Sequence, residues 1–325
     1  MGQDKGADKV GQQKQAGIPY RTAVAVRSPE GHLIRDARMG IPYETQSVCL
    51  CEAPQMRADW MGSGTEMQNK THYLFVIRDY LEAEGLTYAP VMQEEMQRRK
   101  NGKKYSMQDH VRGMIYALLS NQTKWHRIEP HLPEIDALFF YYEPERILCK
   151  PHRYFSQGLF DLKCGNRNTE AQMETLAENI RTLERIAAEY GSMDAFITAE
   201  PAALIVPKLA GEQSPYKLKW MGDALVWEYL RNMGIDGAKP DTHLRRFFGC
   251  DRMGGGAHSP ATIREVLDQV DALSEETGLS KTEIDNLIWS FSADGYGKVC
   301  TKTPHCQKCP VKGYCKTGYG IYSHE

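Results

Sequence analysis

Between Cys300 and Cys315 the chain reads C-T-K-T-P-H-C-Q-K-C-P-V-K-G-Y-C, four cysteines with gaps of five, two and five residues. Only Cys306 and Cys309 form a C-x2-C knuckle, and Cys300 and Cys315 flank it at equal distance. Such a loop can wrap one bulky centre with four thiolates. Thiolate-only ligation suits zinc or an iron–sulfur cluster, and the spacing alone leaves both open. Lys298, Lys302, Lys308, Lys312 and Lys316 accompany the cysteines, with no Asp or Glu between Tyr296 and His324. Those lysines could offset the charge of a thiolate-bound centre or attract phosphates; a solvated basic loop is the plainer reading.

A second stretch with chemical content lies upstream, K-P-D-T-H-L-R-R from Lys239 to Arg246. Read on its own, Pro-Asp-Thr is a helix start, with Asp241 as the N-cap.

The elements that must position these residues read as helices. Apolar residues recur at helical spacing in His72–Ala83, Gln108–Thr123, Thr169–Tyr190, Asp194–Leu209, Gly222–Met233 and Lys281–Phe291. Ser106 and Asp109 form a capping-box pattern, Gly191 is placed to end a helix, and Ser259-Pro260 reads as a helix start. Arg98–Lys104 reads as a basic loop that could hold phosphate. With no βαβ alternation and no internal repeat, the expected fold class is mainly α. Residues 1–20 read as a disordered tail, and 21–66 as an N-terminal extension carrying a short β-hairpin around Ser28-Pro29-Glu30-Gly31.

Composition sets the outer bounds. The chain has 325 residues, 41% hydrophobic and 25% charged, with a formal net charge of −2. That excludes a globally basic nucleic-acid binder but leaves room for a basic face. The apolar runs are too short to span a bilayer, so no membrane partner is expected. The polar N-terminus carries no secretory apolar stretch. The expected setting is cytoplasmic and reducing, nucleoid-associated in a bacterial cell, and not secreted. Cys49, Cys51, Cys149, Cys164 and Cys250 then read as ordinary thiols.

Four stretches in order resemble the helix-hairpin-helix DNA glycosylases of the endonuclease III superfamily. Asp241-Thr242-His243 followed by Arg246 is similar to their V-D-T-H-x-x-R signature. L-L-S-N-Q-T (Leu118–Thr123) is similar to their L-L-S-x-Q-T stretch. M-G-D-A-L-V-W-E-Y-L (Met221–Leu230) resembles the hairpin glycine with its second helix, and Ile284–Cys300 the helix leading into their [4Fe–4S] loop. The likeness covers roughly residues 69–325. The family's loop usually runs C-x6-C-x2-C-x5-C, so the first gap here is one residue short.

The resemblance implies two helical domains with a DNA-binding cleft between them. One is a helical barrel with the helix-hairpin-helix (105–235); the other, 67–104 plus 236–325, carries a [4Fe–4S] cluster on Cys300, Cys306, Cys309 and Cys315. It implies a monomer that binds double-stranded DNA containing a damaged or modified base and flips that base out of the stack. Asp241 matches the carboxylate that stabilises positive charge developing on the sugar as the N-glycosidic bond breaks. Gln122 matches the residue that fills the gap in the duplex. Trp220 and Gly222 fall in the hairpin, where W-M-G replaces the usual G-x-G, and Arg245, Arg246, Lys302 and Lys308 are phosphate candidates. Bifunctional members carry a nucleophilic lysine just after the hairpin glycine. Asp223 or Ala224 takes that position here, so a monofunctional enzyme is expected, with Lys217 and Lys219 as the lysines nearest in sequence. Ala117 stands where the adenine-excising branch has a glutamate. A non-catalytic or redox-sensing iron–sulfur DNA-binding protein on the same scaffold is the alternative, and a zinc-stabilised interaction module is a third reading.

Overall fold

A computed structural model describes residues 72–86 and 91–322. The proposed tail and β-hairpin lie outside them. Among the described residues the secondary structure is helical and contains no strand, the mainly α fold expected.

The chain runs α1 (Tyr73–Ala83), α2 (Val91–Lys100), α3 (Met107–Leu119), α4 (Trp125–Ile128), α5 (Leu132–Leu138), α6 (Pro144–Leu148), α7 (His152–Asp161), α8 (Thr169–Glu174) and α9 (Leu176–Tyr190). It continues with α10 (Met193–Thr198), α11 (Ala202–Ala210), α12 (Asp223–Asn232), α13 (Thr242–Phe247), α14 (Ile263–Thr277), α15 (Lys281–Ser292) and α16 (Lys316–Tyr322). The Ser106–Asp109 capping box forms as expected, and Gly191 ends α9 in the left-handed conformation, φ +82°.

Several expected helices are shorter or divided. Thr169–Tyr190 breaks at Thr175, whose Oγ1 donates back to the carbonyls of Ala171 and Gln172. Asp194–Leu209 divides because Pro201 has no N–H to continue the ladder; it becomes the N-cap of α11. Ser259-Pro260 precedes a helix without starting it: α14 begins at Ile263, capped by Thr262 in a capping box with Glu265. Of Arg98–Lys104, Arg98, Arg99 and Lys100 close α2, and 101–104 form the loop after it. Arg98 and Lys103 pair with Glu95, and Arg99 with Asp194 at 2.6 Å, so these three cations serve the fold, while Lys100 and Lys104 are exposed.

Apolar side chains gather into two cores within one compact unit. The first is built on α3 and α12, with Val111, Met114, Leu118, Leu183 and Tyr229 buried and Phe139 stacked on Phe155 at 4.9 Å. The second joins Leu74, Ile77 and Leu81 of α1 to Leu244, Phe247, Val270, Ile288 and Phe291, and reaches the cysteine loop through Val299 and Val311. Gly234, φ +70°, lets the chain leave α12 for the second core: a Cβ there would lie 2.5 Å from the Glu95 carbonyl oxygen.

Polar bridges join the two cores along two lines. On one, Arg231 of α12 pairs with Glu228 at 3.0 Å and reaches Asp285 at 2.7 Å and Asn286 at 2.6 Å on α15. On the other, Lys124 pairs with Asp294, His126 Nδ1 lies 3.0 Å from the Asp294 carbonyl, and Tyr296 donates to Glu129 at 3.2 Å.

Candidate functional site

Asp241 caps α13. Its Oδ1 accepts the backbone N–H groups of His243 at 2.7 Å and Leu244 at 3.3 Å, and its backbone N–H donates to the Lys239 carbonyl at 2.7 Å. One carboxylate oxygen thus fixes the helix start, and Oδ2 takes no part in the cap. The capping and chemical readings of this residue are compatible. His243 packs edge-on to Trp289, 6.2 Å between centroids, and burial lowers its pKa, with Asp241 pulling the other way.

The L-L-S-N-Q-T stretch comes to the same place. Ser120 ends α3, and its Oγ accepts Lys239 Nζ at 2.9 Å. That bond ties the stretch around Gln122 to the loop that delivers Asp241, which is far off in sequence. Gln122 is exposed with φ +56°. The loop before α8 braces its turn: Asn166 donates to Asn121 O at 2.8 Å and Thr123 Oγ1 at 2.7 Å, and Arg167 donates to Gln122 Oε1 at 3.0 Å.

The hairpin lies between α11 and α12. Trp220 is 43% exposed and has φ +63°, the left-handed geometry a glycine adopts without strain. Holding that conformation without a glycine carries a local cost of about 1 kcal/mol. Gly222 is exposed and caps α12 with no side-chain hydrogen bond. A helix start of that kind offers backbone N–H groups to an anion. Asn179 holds the turn from below, exchanging hydrogen bonds with the backbone N–H and C=O of Lys219. Lys217 is spent on the hairpin: its Nζ donates to Ala210 O at 2.6 Å and Met221 O at 2.9 Å and pairs with Glu212 at 3.2 Å. Lys219 pairs with Glu178 at 3.5 Å. Asp223 is exposed at the first turn of α12 beside the half-buried Ala224.

Arg245 donates to the Ala261 carbonyl at 2.7 Å, fixing the loop before α14. Arg246 donates to Thr242 O at 2.8 Å and lies 3.4 Å from His243 Nδ1. Lys302 is exposed, and Lys308 donates to Gly297 O at 3.1 Å.

Cys300, Cys306, Cys309 and Cys315 line one small cavity with Arg252, Val299 and Pro304. Arg252 is buried and donates to Cys300 Sγ at 3.1 Å and Thr301 O at 2.9 Å. Among the described residues, no three of these sulfurs lie within 4.8 Å of one another. Tetrahedral zinc with Zn–S bonds of about 2.3 Å needs sulfurs about 3.8 Å apart. The four sulfurs are gathered more loosely than that, and an all-thiol donor set suits zinc or an iron–sulfur cluster. As bare thiols Cys300, Cys306 and Cys309 resist ionisation: burial raises all three and pushes Cys309 up to about 11, with neighbouring sulfurs adding to the shift.

The sequence motifs assign no role to a set of buried charges near Asp241. Lys239, Glu228, Arg231 and Asp285 form one network. Burial pushes the Asp285 carboxyl up to about 7, with Arg231 opposing and Asp241 and Glu228 reinforcing. Glu228 and Arg231, three apart on an otherwise apolar helix, were the visible signal.

No protein-family model and no curated protein matches the chain. Two solved structures are similar. One is the Methanocaldococcus jannaschii 8-oxoguanine glycosylase/lyase in complex with a 15mer DNA containing 8-oxoguanine. It has 18% identity and a TM-score of 0.46, and the likeness covers 67% of this chain and 96% of that one. The other is the 8-oxoguanine DNA glycosylase of the same organism, with the same identity and score, over 69% of this chain and 96% of that one. At that level the likeness concerns the course of the helices, and no residue's role rests on it. Among the described residues, no helix is long and apolar enough to cross a membrane.

Proposed function

We propose that this protein is a monofunctional DNA glycosylase. It hydrolyses the N-glycosidic bond of a flipped-out damaged, mismatched or modified base in double-stranded DNA, and acts in base excision repair. The observation that carries the reading is the 2.9 Å bond between Lys239 Nζ and Ser120 Oγ, because it ties the Asp241 and Gln122 stretches together. Either stretch alone is a common helix end.

In this reading each element has its own task. The bare start of α12 at Gly222 takes a phosphate, and Gln122, braced by Arg167, fills the space the base leaves. Asp241, its Oδ1 held by two amides, presents Oδ2 to C1′, where a fixed carboxylate stabilises the positive charge of the breaking bond and orients the attacking water. Because Lys217 is bound within the hairpin and Asp223 and Ala224 have no amine, hydrolysis and not imine formation is the expected course.

Cys300, Cys306, Cys309 and Cys315 would hold a [4Fe–4S] cluster, a reading supported by their all-thiol lining of one cavity. The cluster would supply a cross-link fixing the irregular loop after α15 to the second core, and Arg252 would offset part of the thiolate charge.

The test is a panel of lesions in duplex and single-stranded DNA, scored with and without alkali. The expected result is strand cleavage only after alkali, in duplex DNA. Spontaneous nicking with a borohydride-trapped protein–DNA adduct would contradict the monofunctional reading, and release of no base would contradict the enzyme.

A further inference from the structure

We infer that Lys239 is the leaving-group residue of this site, and that it sets the substrate class: neutral bases that depart as anions, and not cationic N-alkylated purines. The inference rests on the glycosylase reading and goes beyond it, since nothing in the motifs assigns Lys239 or the base.

Lys239 is held from every side. Its backbone N–H donates to Asp285 Oδ1 at 2.8 Å, and its carbonyl accepts the Asp241 N–H. The chain position of the amine is therefore locked to that of the carboxylate two residues on. Its side chain is 11% exposed, with Nζ 2.9 Å from Ser120 Oγ and 4.0 Å from Glu228 Oε1. Among the described residues Ser120 Oγ is the one hydrogen-bond acceptor within reach of its three N–H groups, since 4.0 Å is an ion-pair distance and not a hydrogen bond. An ammonium with donors to spare thus sits where the Gln122 and Asp241 stretches meet. It is a donor beside a carboxylate, not a free amine, so it is placed to stabilise charge and not to attack carbon.

The chemistry then fixes the substrate class. Water oxygen bonds to C1′ as the C1′–N bond breaks, and that bond's electron pair stays on the base nitrogen. Asp241 or solvent takes the water proton, and the departing base takes up one proton on release, so one water is consumed overall. A neutral pyrimidine dione or a deaminated or oxidised purine leaves as an anion, which a fixed ammonium stabilises as it forms. A base already alkylated to a cation leaves neutral. Lys239 gives it no such help and repels it in the ground state.

The experiment uses the full-length, metal-loaded protein under single-turnover conditions. Matched duplexes carry uracil, 5-fluorouracil, hypoxanthine, 8-oxoguanine or 7-methylguanine, with Lys239→Met, Lys239→Arg, Ser120→Ala and Asp241→Asn as variants. We expect release of at least one neutral base and none of 7-methylguanine above its spontaneous rate. Lys239→Met lowers release about 100-fold, with binding to a duplex bearing an abasic-site analogue unchanged, and Lys239→Arg restores most of the rate. Across released neutral bases the Lys239→Met defect shrinks as the base becomes a better leaving group, as from uracil to 5-fluorouracil. A merely structural role would give equal defects on all of them. Ser120→Ala, which keeps the ammonium and Glu228, retains the base preference even if it lowers stability. Release of 7-methylguanine as fast as the neutral bases, an equal defect across leaving groups, or a borohydride adduct at Lys239 would each overturn the inference. Normal release by Lys239→Met with loss in Asp241→Asn would sink it while leaving the glycosylase reading intact. Release of no base by the unaltered protein would sink both.

Discussion

The two cores are stabilised by different means. The first is a large apolar interior closed by helices from α3 to α12, with stacked aromatics and few charges. The second is smaller and ends in a loop from Lys298 to Cys315 whose only regular structure is two single 3-10 turns, Cys306–Lys308 and Lys312–Tyr314. Packing alone accounts for the first. The second would gain further from any centre that the four sulfurs hold. The proposed site lies near the join between them, and its two helix starts differ: the one at Gly222 has no side-chain cap, and the one at Asp241 is filled by a carboxylate.

The largest expected effect separates the cores outright. Cys309→Ala should cost more than any single core truncation, more than about 5 kcal/mol, and confine the damage to the second core. Limited proteolysis checks this, with early cutting near residues 298–322 and late cutting of the first core. Simultaneous loss of both would show that they are one cooperative unit.

Acid and base should then act on the cores in opposite directions. His110 in the first core is fully buried, and burial lowers its pKa to about 4. Below pH 6.5 the unfolded chain binds a proton the folded one refuses, so this group's contribution is lost as pH falls from 6.5 to 4, on the order of 3 kcal/mol. Asp285 at the second core has its pKa raised, so its contribution is fully present below the unfolded value near 4 and is lost as pH rises through about 7. Denaturation of His110→Phe between pH 4 and 7 should show the acid loss removed, and Asp285→Asn should flatten the opposite slope.

The smallest effect compares one cap in each core. Ser106→Ala and Thr262→Ala each remove a capping box, at about 1 kcal/mol apiece. Calorimetry should show the first shifting only the first core's transition and the second only the other's.

These contrasts show which parts of the fold the sequence could reveal. Helices with an unbroken apolar stripe and a local cap, such as α3 and α15, were legible because periodicity and capping agree. Residues 125–148 were not. Pro130, Pro133 and Pro144 cut that stretch into helices too short to show a period, and Phe140, Tyr141 and Tyr142 all adopt positive φ. Of the site, Asp241 and the cysteines were legible by type and spacing. Lys239 was not, because a lone lysine in a loop gains meaning only from Ser120 and Glu228, which the fold brings to it. Lys217 looked available in sequence, and its two carbonyl acceptors show otherwise.

The most direct test of the central claim is single-turnover base release by Asp241→Asn. Asparagine caps a helix about as well as aspartate, so the fold and duplex binding should be retained. Release should fall about 1,000-fold. Release at the unaltered rate would contradict the account.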